Sequence, residues 1–125
     1  MNDLFVFNPL DLSWTEITSS ISGAAPSPRA GSTLASVSGR FYTFGGWDMG
    51  TLHFFNDLFV LDPTALLWTN LTERMSGDIP LPLTGPGVAV LGDIIYLFGG
   101  SFNDNGKMGQ APLSHTIRAI FLAHL

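Results

Sequence analysis

Trp47, Asp48 and His53 fall in one stretch of the chain, residues 47 to 55, and bring together an aromatic face, a hydrogen-bond acceptor and a titratable ring. That mixture suits contact with another macromolecule, where aromatic anchors and polar groups share a small area. Arg29 adds a cation able to grip a carboxylate through two parallel bonds, either for a partner or for an acidic neighbour within the fold. Side chains for bond-breaking chemistry are scarce. His53, His115 and His124 stand apart without the short spacings of metal ligands, and there is no cysteine to supply a thiolate. Serine, histidine and aspartate all occur, but no Gly-x-Ser-x-Gly turn raises a serine as a nucleophile. Gly85-Pro86-Gly87 lacks both the spacing and the lysine of a phosphate-binding loop. The residues therefore point to a binding surface that uses no cofactor and no metal, not to an active site.

Such contacts need a rigid support, and the composition suggests one made of short strands. The chain has 125 residues, enough for one domain, with 46% hydrophobic and only 12% charged residues. Fourteen glycines and eight prolines lie scattered between short apolar runs, where they act as punctuation. The net charge is −5, and the five cationic side chains, at positions 29, 40, 74, 107 and 118, form no basic cluster. Nucleic acid and anionic membrane are thus poor partners. The start, Met1-Asn2-Asp3-Leu4, lacks a basic leader, and apolar runs such as Ile94 to Phe98 are far too short to cross a bilayer. On those grounds the expected location is the cytoplasm by default. Asn70-Leu71-Thr72 matches the N-glycosylation pattern, a triplet that arises often by chance.

The chain repeats itself. Asn2-Asp3-Leu4-Phe5-Val6 returns as Asn56-Asp57-Leu58-Phe59-Val60, Trp14-Thr15 as Trp68-Thr69, Ser22-Gly23 as Ser76-Gly77, and Phe44-Gly45-Gly46 as Phe98-Gly99-Gly100. The shift is 54 residues throughout, with about 20 identities over about 45 positions and no gap, far beyond what shared composition produces. Within one period, four apolar segments are bounded by turn residues: Gly31 to Val37, Arg40 to Phe44, Asp57 to Leu61 and Leu67 to Leu71. Ser38-Gly39 and Asp62-Pro63-Thr64 are the turns between them. Runs such as Ile94 to Phe98 are apolar on both faces, which suits a sheet packed between neighbours.

The double glycine after an aromatic strand, then Asn-Asp-Leu-Phe-Val, then Trp, closely resembles kelch repeats, and the resemblance covers residues 2 to 100. It implies an all-β fold of β-propeller blades like those of the galactose oxidase central domain. Each blade would have four strands, with Tyr42, Trp68, Tyr96 and Trp14 packed between blades. In phase, residues 2–18 are a half-blade, 29–72 one complete four-stranded blade and 83–100 a second half-blade, an incomplete propeller. Residues 101–125 are left as a loop and a non-kelch tail. There Leu113, Ile117, Ile120, Phe121 and Leu125 fit one helical face, with a short strand through Thr116 to Leu122 as the alternative. The resemblance is imperfect. Pro28-Arg29-Ala30-Gly31 matches a frequent kelch pattern, but the second copy reads Pro82-Leu83-Thr84-Gly85, and Gln110-Ala111-Pro112-Leu113 stands where the next Asn-Asp-Leu belongs.

Two half-blades leave open strand edges. Three outcomes are consistent with that: a fragment of a longer kelch protein, a head-to-tail homo-oligomer in which three chains close a six-bladed ring, or an open stack with the tail across an edge. Kelch geometry further implies that residues 47–55, 101–109, 19–25 and 73–79 share one propeller face. That makes Trp47, Asp48, His53 and Arg29 the candidate contacts for a protein partner. The expected function is a non-catalytic protein-interaction module. Copper chemistry of the galactose oxidase type needs a cysteine-linked tyrosine and is excluded. The other expectations are a propeller enzyme or metal-dependent specifier-type protein complete only in a longer chain or oligomer, and a truncated product without independent function.

Overall fold

A computed structural model describes the backbone of residues 2–104, 107–110 and 118–121, and the side chains of residues 2–101. The described residues form strands and two single 3-10 turns, Thr18–Ser20 and Thr72–Arg74. A first ribbon joins β1 (Phe5–Asn8) to β2 (Ser13–Glu16), antiparallel, with Phe7 opposite Trp14. The chain then runs through a two-residue strand, β3 (Ser22–Gly23), into β4 (Ala35–Val37) and β5 (Arg40–Phe44). A short hairpin follows, β6 (Trp47–Asp48) with β7 (His53–Phe54), and then β8 (Leu58–Asp62) and β9 (Leu67–Asn70). Apart from the β6–β7 hairpin, these strands make one five-stranded sheet in the order β3-β9-β8-β5-β4. It is a four-stranded blade with one strand more.

The extra strand comes from the preceding linker. Ser22 and Gly23 lie parallel to Leu67 and Trp68, with the Ser22 N–H on the Leu66 carbonyl at 2.9 Å and the Ala24 N–H on the Trp68 carbonyl at 3.2 Å. An outer edge that would otherwise expose unpaired backbone groups is thereby covered. Residues 19–25, expected on the contact face, are in part committed to this edge.

At the other end β4 is shorter than the apolar run from Gly31 suggests. The Thr33 side chain intervenes: its Oγ1 accepts the Phe44 N–H at 2.8 Å, while the Thr33 N–H reaches the Phe44 carbonyl at 3.0 Å. Both polar groups are satisfied at a buried position without continuing the strand.

The next sheet contains β10 (Gly87–Leu91) and β11 (Ile94–Phe98), paired antiparallel as β4 and β5 are. A hairpin of β12 (Ser101–Asp104) and β13 (Lys107–Gln110) takes the place that β6–β7 occupies in the repeat. The half-blade expected at 83–100 has a third strand, because β14 (Arg118–Phe121) pairs with β11 in the order β10-β11-β14. Of the tail, residues 118–121 are thus strand, which agrees with the alternative reading. Residues 111–117 and 122–125, where the rest of the helical expectation falls, lie outside the described residues.

The core sits between the complete blade and the one after it. Ala35, Val37, Phe44, Leu58 and Leu71 meet Ile95 and Leu97, and Tyr42, Val60, Met75, Leu83 and Val88 pack around them. Tyr42 therefore serves the interblade packing expected of it. Backbone bonds lock the same seam: Gly46 N–H to the Leu83 carbonyl at 2.8 Å, Leu83 N–H to Phe55 at 3.1 Å, and Gly85 N–H to Gly31 at 2.7 Å. Gly45 shows why the double glycine is needed. It adopts a φ of +68°, and a Cβ there would lie 2.6 Å from the Leu83 carbonyl oxygen of the adjoining blade.

Candidate functional site

The stretch expected as a loop between the second and third strands is an ordered hairpin. Trp47 faces Phe54, and Asp48 faces His53, across β6 and β7. The ring centroids of Trp47 and Phe54 are 5.7 Å apart, and Phe54 is buried beneath the half-exposed indole. Such a cross-strand aromatic pair stabilises a ribbon otherwise too short to persist. The tip is closed by Asp48, whose Oδ1 accepts the Gly50 N–H at 2.8 Å and whose Oδ2 accepts the Thr51 hydroxyl at 2.8 Å. The Thr51 hydroxyl, then the Gly50 N–H, hold the Asp48 carboxyl below the usual carboxylate range, with a smaller pull from the His53 charge. Asp48 is thus a firmly ionised acceptor, unsuited to giving up a proton in neutral solution.

The base of the hairpin is fixed to the blade in two ways. Ala30 and Trp47 exchange backbone hydrogen bonds, both at 2.9 Å, and Thr84 and Ser101 repeat that bridge in the following unit at 2.8 Å. Arg29 supplies the second. Its guanidinium lies 3.7 Å from the centroid of Phe55, whose ring meets His53 edge-on at 4.7 Å. It also pairs with Asp57 in the fork geometry of a bidentate bridge, Nη2 to Oδ2 at 3.0 Å. The remaining donors go to the Ser27 carbonyl and hydroxyl and to the Gly45 carbonyl, each at 3.0 Å.

A guanidinium has five N–H groups, and all five are used. With its side chain 6% exposed, Arg29 is a positioning residue for the hairpin and offers no donor to a partner. The structure gathers Trp47, Asp48 and His53 into one hairpin, with the Trp47–Phe54 pair on one face and the Asp48–His53 pair on the other; His53 is exposed, and Trp47 and Asp48 are half-exposed. Arg29 lies against Phe55 at the base of the hairpin. Sequence reasoning missed Phe55 and Asp57, which carry the link from blade to hairpin. Their signal was present in the Asn-Asp that opens the third strand of the repeat, but the arginine it meets lies 28 residues earlier. Among the described residues no three His, Asp or Glu side chains converge as a metal site.

Residues 1–112 match the family described as the KLHDC2/KLHL20/DRC7 Kelch-repeats domain. The chain is 35% identical over 106 residues to a probable serine/threonine-protein kinase of Dictyostelium discoideum, covering 83% of this chain and 8% of that protein. To the flagellar outer arm dynein alpha chain of Chlamydomonas reinhardtii it is 37% identical over 83 residues, covering 65% of this chain and 2% of the relative. An Arabidopsis thaliana relative, acyl-CoA-binding domain-containing protein 5, is 33% identical over 115 residues, which is 91% of this chain and 17% of the relative. The chain therefore spans a small part of the curated relatives that it matches. A 54-residue repeat, a four-stranded blade closed by a linker strand, and a family match over nearly the whole chain converge on one assignment. This chain belongs to the kelch-repeat family.

Proposed function

We propose that the chain is a protein-interaction module without catalytic chemistry of its own, which meets its protein partner through the β6–β7 hairpin. The observation that carries this reading is the hairpin itself. A half-exposed indole, an ionised carboxylate and an exposed imidazole stand on one short ribbon. The ribbon is held at its base by the arginine whose donors are fully used within the fold. A contact surface prepared in this way loses little conformational entropy on binding. The comparisons support the same reading. Segments like this one make up 8%, 2% and 17% of a kinase, a dynein chain and an acyl-CoA-binding protein. A scaffold shared by proteins of such different names carries specificity in its loops and not in a common reaction.

The test is affinity capture with chemical crosslinking, comparing the chain with a Trp47→Ala, His53→Ala double variant and with Leu10→Ala on the distant β1–β2 turn. Capture should fall by about 10-fold or more for the hairpin variant, as expected for loss of an aromatic anchor. Leu10→Ala should change nothing. Equal capture by all three proteins, with unchanged melting, would move the contact away from this hairpin.

A further inference from the structure

Ser27 lies outside the hairpin, yet it touches the residue that anchors it. Its hydroxyl oxygen accepts from Arg29 Nη2 at 3.0 Å, and the same nitrogen donates to Asp57 Oδ2 at 3.0 Å. The arginine is buried, whereas Ser27 is exposed, in irregular backbone between β3 and β4. Pro28 follows it, which keeps Ser27 out of the helical region and removes the next backbone donor. Among the eight prolines of the chain, only Pro28 follows a serine or threonine.

The scaffold does not require this serine. One repeat later Leu81, Leu83 and Ala111 stand where Ser27, Arg29 and Asp57 do, while the proline is kept as Pro82. The backbone there is closed in the same way, since Thr84 and Ser101 exchange bonds as Ala30 and Trp47 do. Serine, arginine and aspartate are thus present together in one copy and absent together in the next, a polar set added to a common backbone.

We infer that Ser27 is a phosphorylation site, and that a phosphate there draws the Arg29 guanidinium away from Asp57 and so releases the base of the β6–β7 hairpin. In the transfer, the bond from Ser27 Oγ to the γ-phosphorus of ATP forms as the bond from that phosphorus to its bridging oxygen breaks. The hydroxyl proton passes to a base of the protein kinase, and ADP leaves. The phosphate carries close to two negative charges at neutral pH and three strong acceptor oxygens. All five N–H groups of Arg29 are in use, so these oxygens are served only by donors taken from another partner. Asp57 is the partner that gives way. It shares Nη2 with Ser27, it is partly exposed, and its charge is repelled by the phosphate, whereas the Gly45 and Ser27 carbonyls are neutral. A guanidinium that follows the phosphate also leaves the Phe55 ring, 3.7 Å from it, through which it holds the hairpin. The release is read without any partner, so it does not depend on the contact surface proposed above.

The full chain and a peptide of residues 20–35 are each treated with ATP and a protein kinase that acts on Ser-Pro. Both should take up phosphate at Ser27, and Ser27→Ala should abolish it. Phosphorus NMR titration then reads the contact with Arg29. The second phosphate pKa, about 6 in a free phosphoserine, should lie about 1 pH unit lower in the chain than in the peptide. The release is read at the hairpin: the His53 ring and Trp47 indole signals should broaden on phosphorylation, as expected for Asp57→Ala, while the Phe59 to Leu61 amides stay protected from exchange. Phosphate on the peptide alone, or on neither, overturns the site. Equal pKa values in chain and peptide, or hairpin signals unmoved by the phosphate, overturn the exchange of partners at Arg29. So does loss of protection at Phe59 to Leu61, which marks unfolding of the blade and not release of the hairpin.

Discussion

β8–β9 and β1–β2 share half of their residues and the same internal hydrogen bonds, yet β8 is interior and β1 is surface. In β8–β9, Phe59 and Leu61 are 6% and 3% exposed; in β1–β2, Phe5 and Phe7 are 52% and 42% exposed. Asp57 grips a buried arginine, and Asp3 faces solvent. Local structure in these ribbons is therefore set by their own turns and side-chain caps. Their energetic weight is set by what lies beside β8 and not beside β1. The pair makes an internal control in which the same substitution can be placed with and without its surroundings.

The largest separation is expected for Phe59→Ala against Phe5→Ala. Removing a buried phenylalanine costs about 3–4 kcal/mol through lost transfer free energy and the cavity left behind. The same truncation at an exposed site stays within roughly 1 kcal/mol. Urea unfolding of the two variants measures the difference. A Phe5→Ala loss as large as that of Phe59→Ala would show that β1 is covered in solution. Asp57→Ala against Asp3→Ala sharpens the contrast at the charged position. Without Asp57 the Arg29 guanidinium keeps its burial but loses its counter-charge, a loss of about 2–3 kcal/mol given that Asp57 is partly exposed. Asp3→Ala should change stability by less than about 0.5 kcal/mol. Because Arg29 also holds Phe55, only the Asp57 variant should broaden the NMR signals of His53 and Trp47.

What was legible in the sequence was whatever the repeat carries within itself. Strand β5, Arg40–Phe44, was read to the residue, since its turn and its double glycine are both local signals. The gathering of Trp47, Asp48 and His53 was legible because they are near neighbours in sequence, although their ordering into a ribbon depends on the Trp47 and Phe54 rings meeting. The role of Arg29 was left between partner contact and internal ion pair. Only the fold shows that Asp57, Ser27 and Gly45 use all its donors. Residues 118–121 were ambiguous for a different reason. Their apolar spacing serves helix or strand alike, and the backbone groups along β11 decide it. Likewise Ser22–Gly23 looks like a turn, and becomes a strand only because β9 presents an edge to it.

That last segment supplies the smallest and most local test. Gly23 and Gly77 occupy the same place in the repeat, with φ of +88° and +78°, so alanine strains both backbones by roughly 1 kcal/mol. Their surroundings differ. A Cβ on Gly23 would lie 2.1 Å from the Trp68 carbonyl oxygen, whereas nothing stands within 4 Å of one on Gly77. Gly23→Ala should therefore push β3 off β9 as well as strain the turn, and Gly77→Ala should only strain it. The measurement is exchange of the Ser22 and Ala24 amides, which bond to Leu66 and Trp68. In the Gly23 variant these amides should exchange as fast as those of an open loop, and in the Gly77 variant at the unaltered rate. If both variants left Ser22 and Ala24 protected, the linker strand would owe its place to contacts other than this close approach. The outer edge of the blade would then be closed by some means besides glycine.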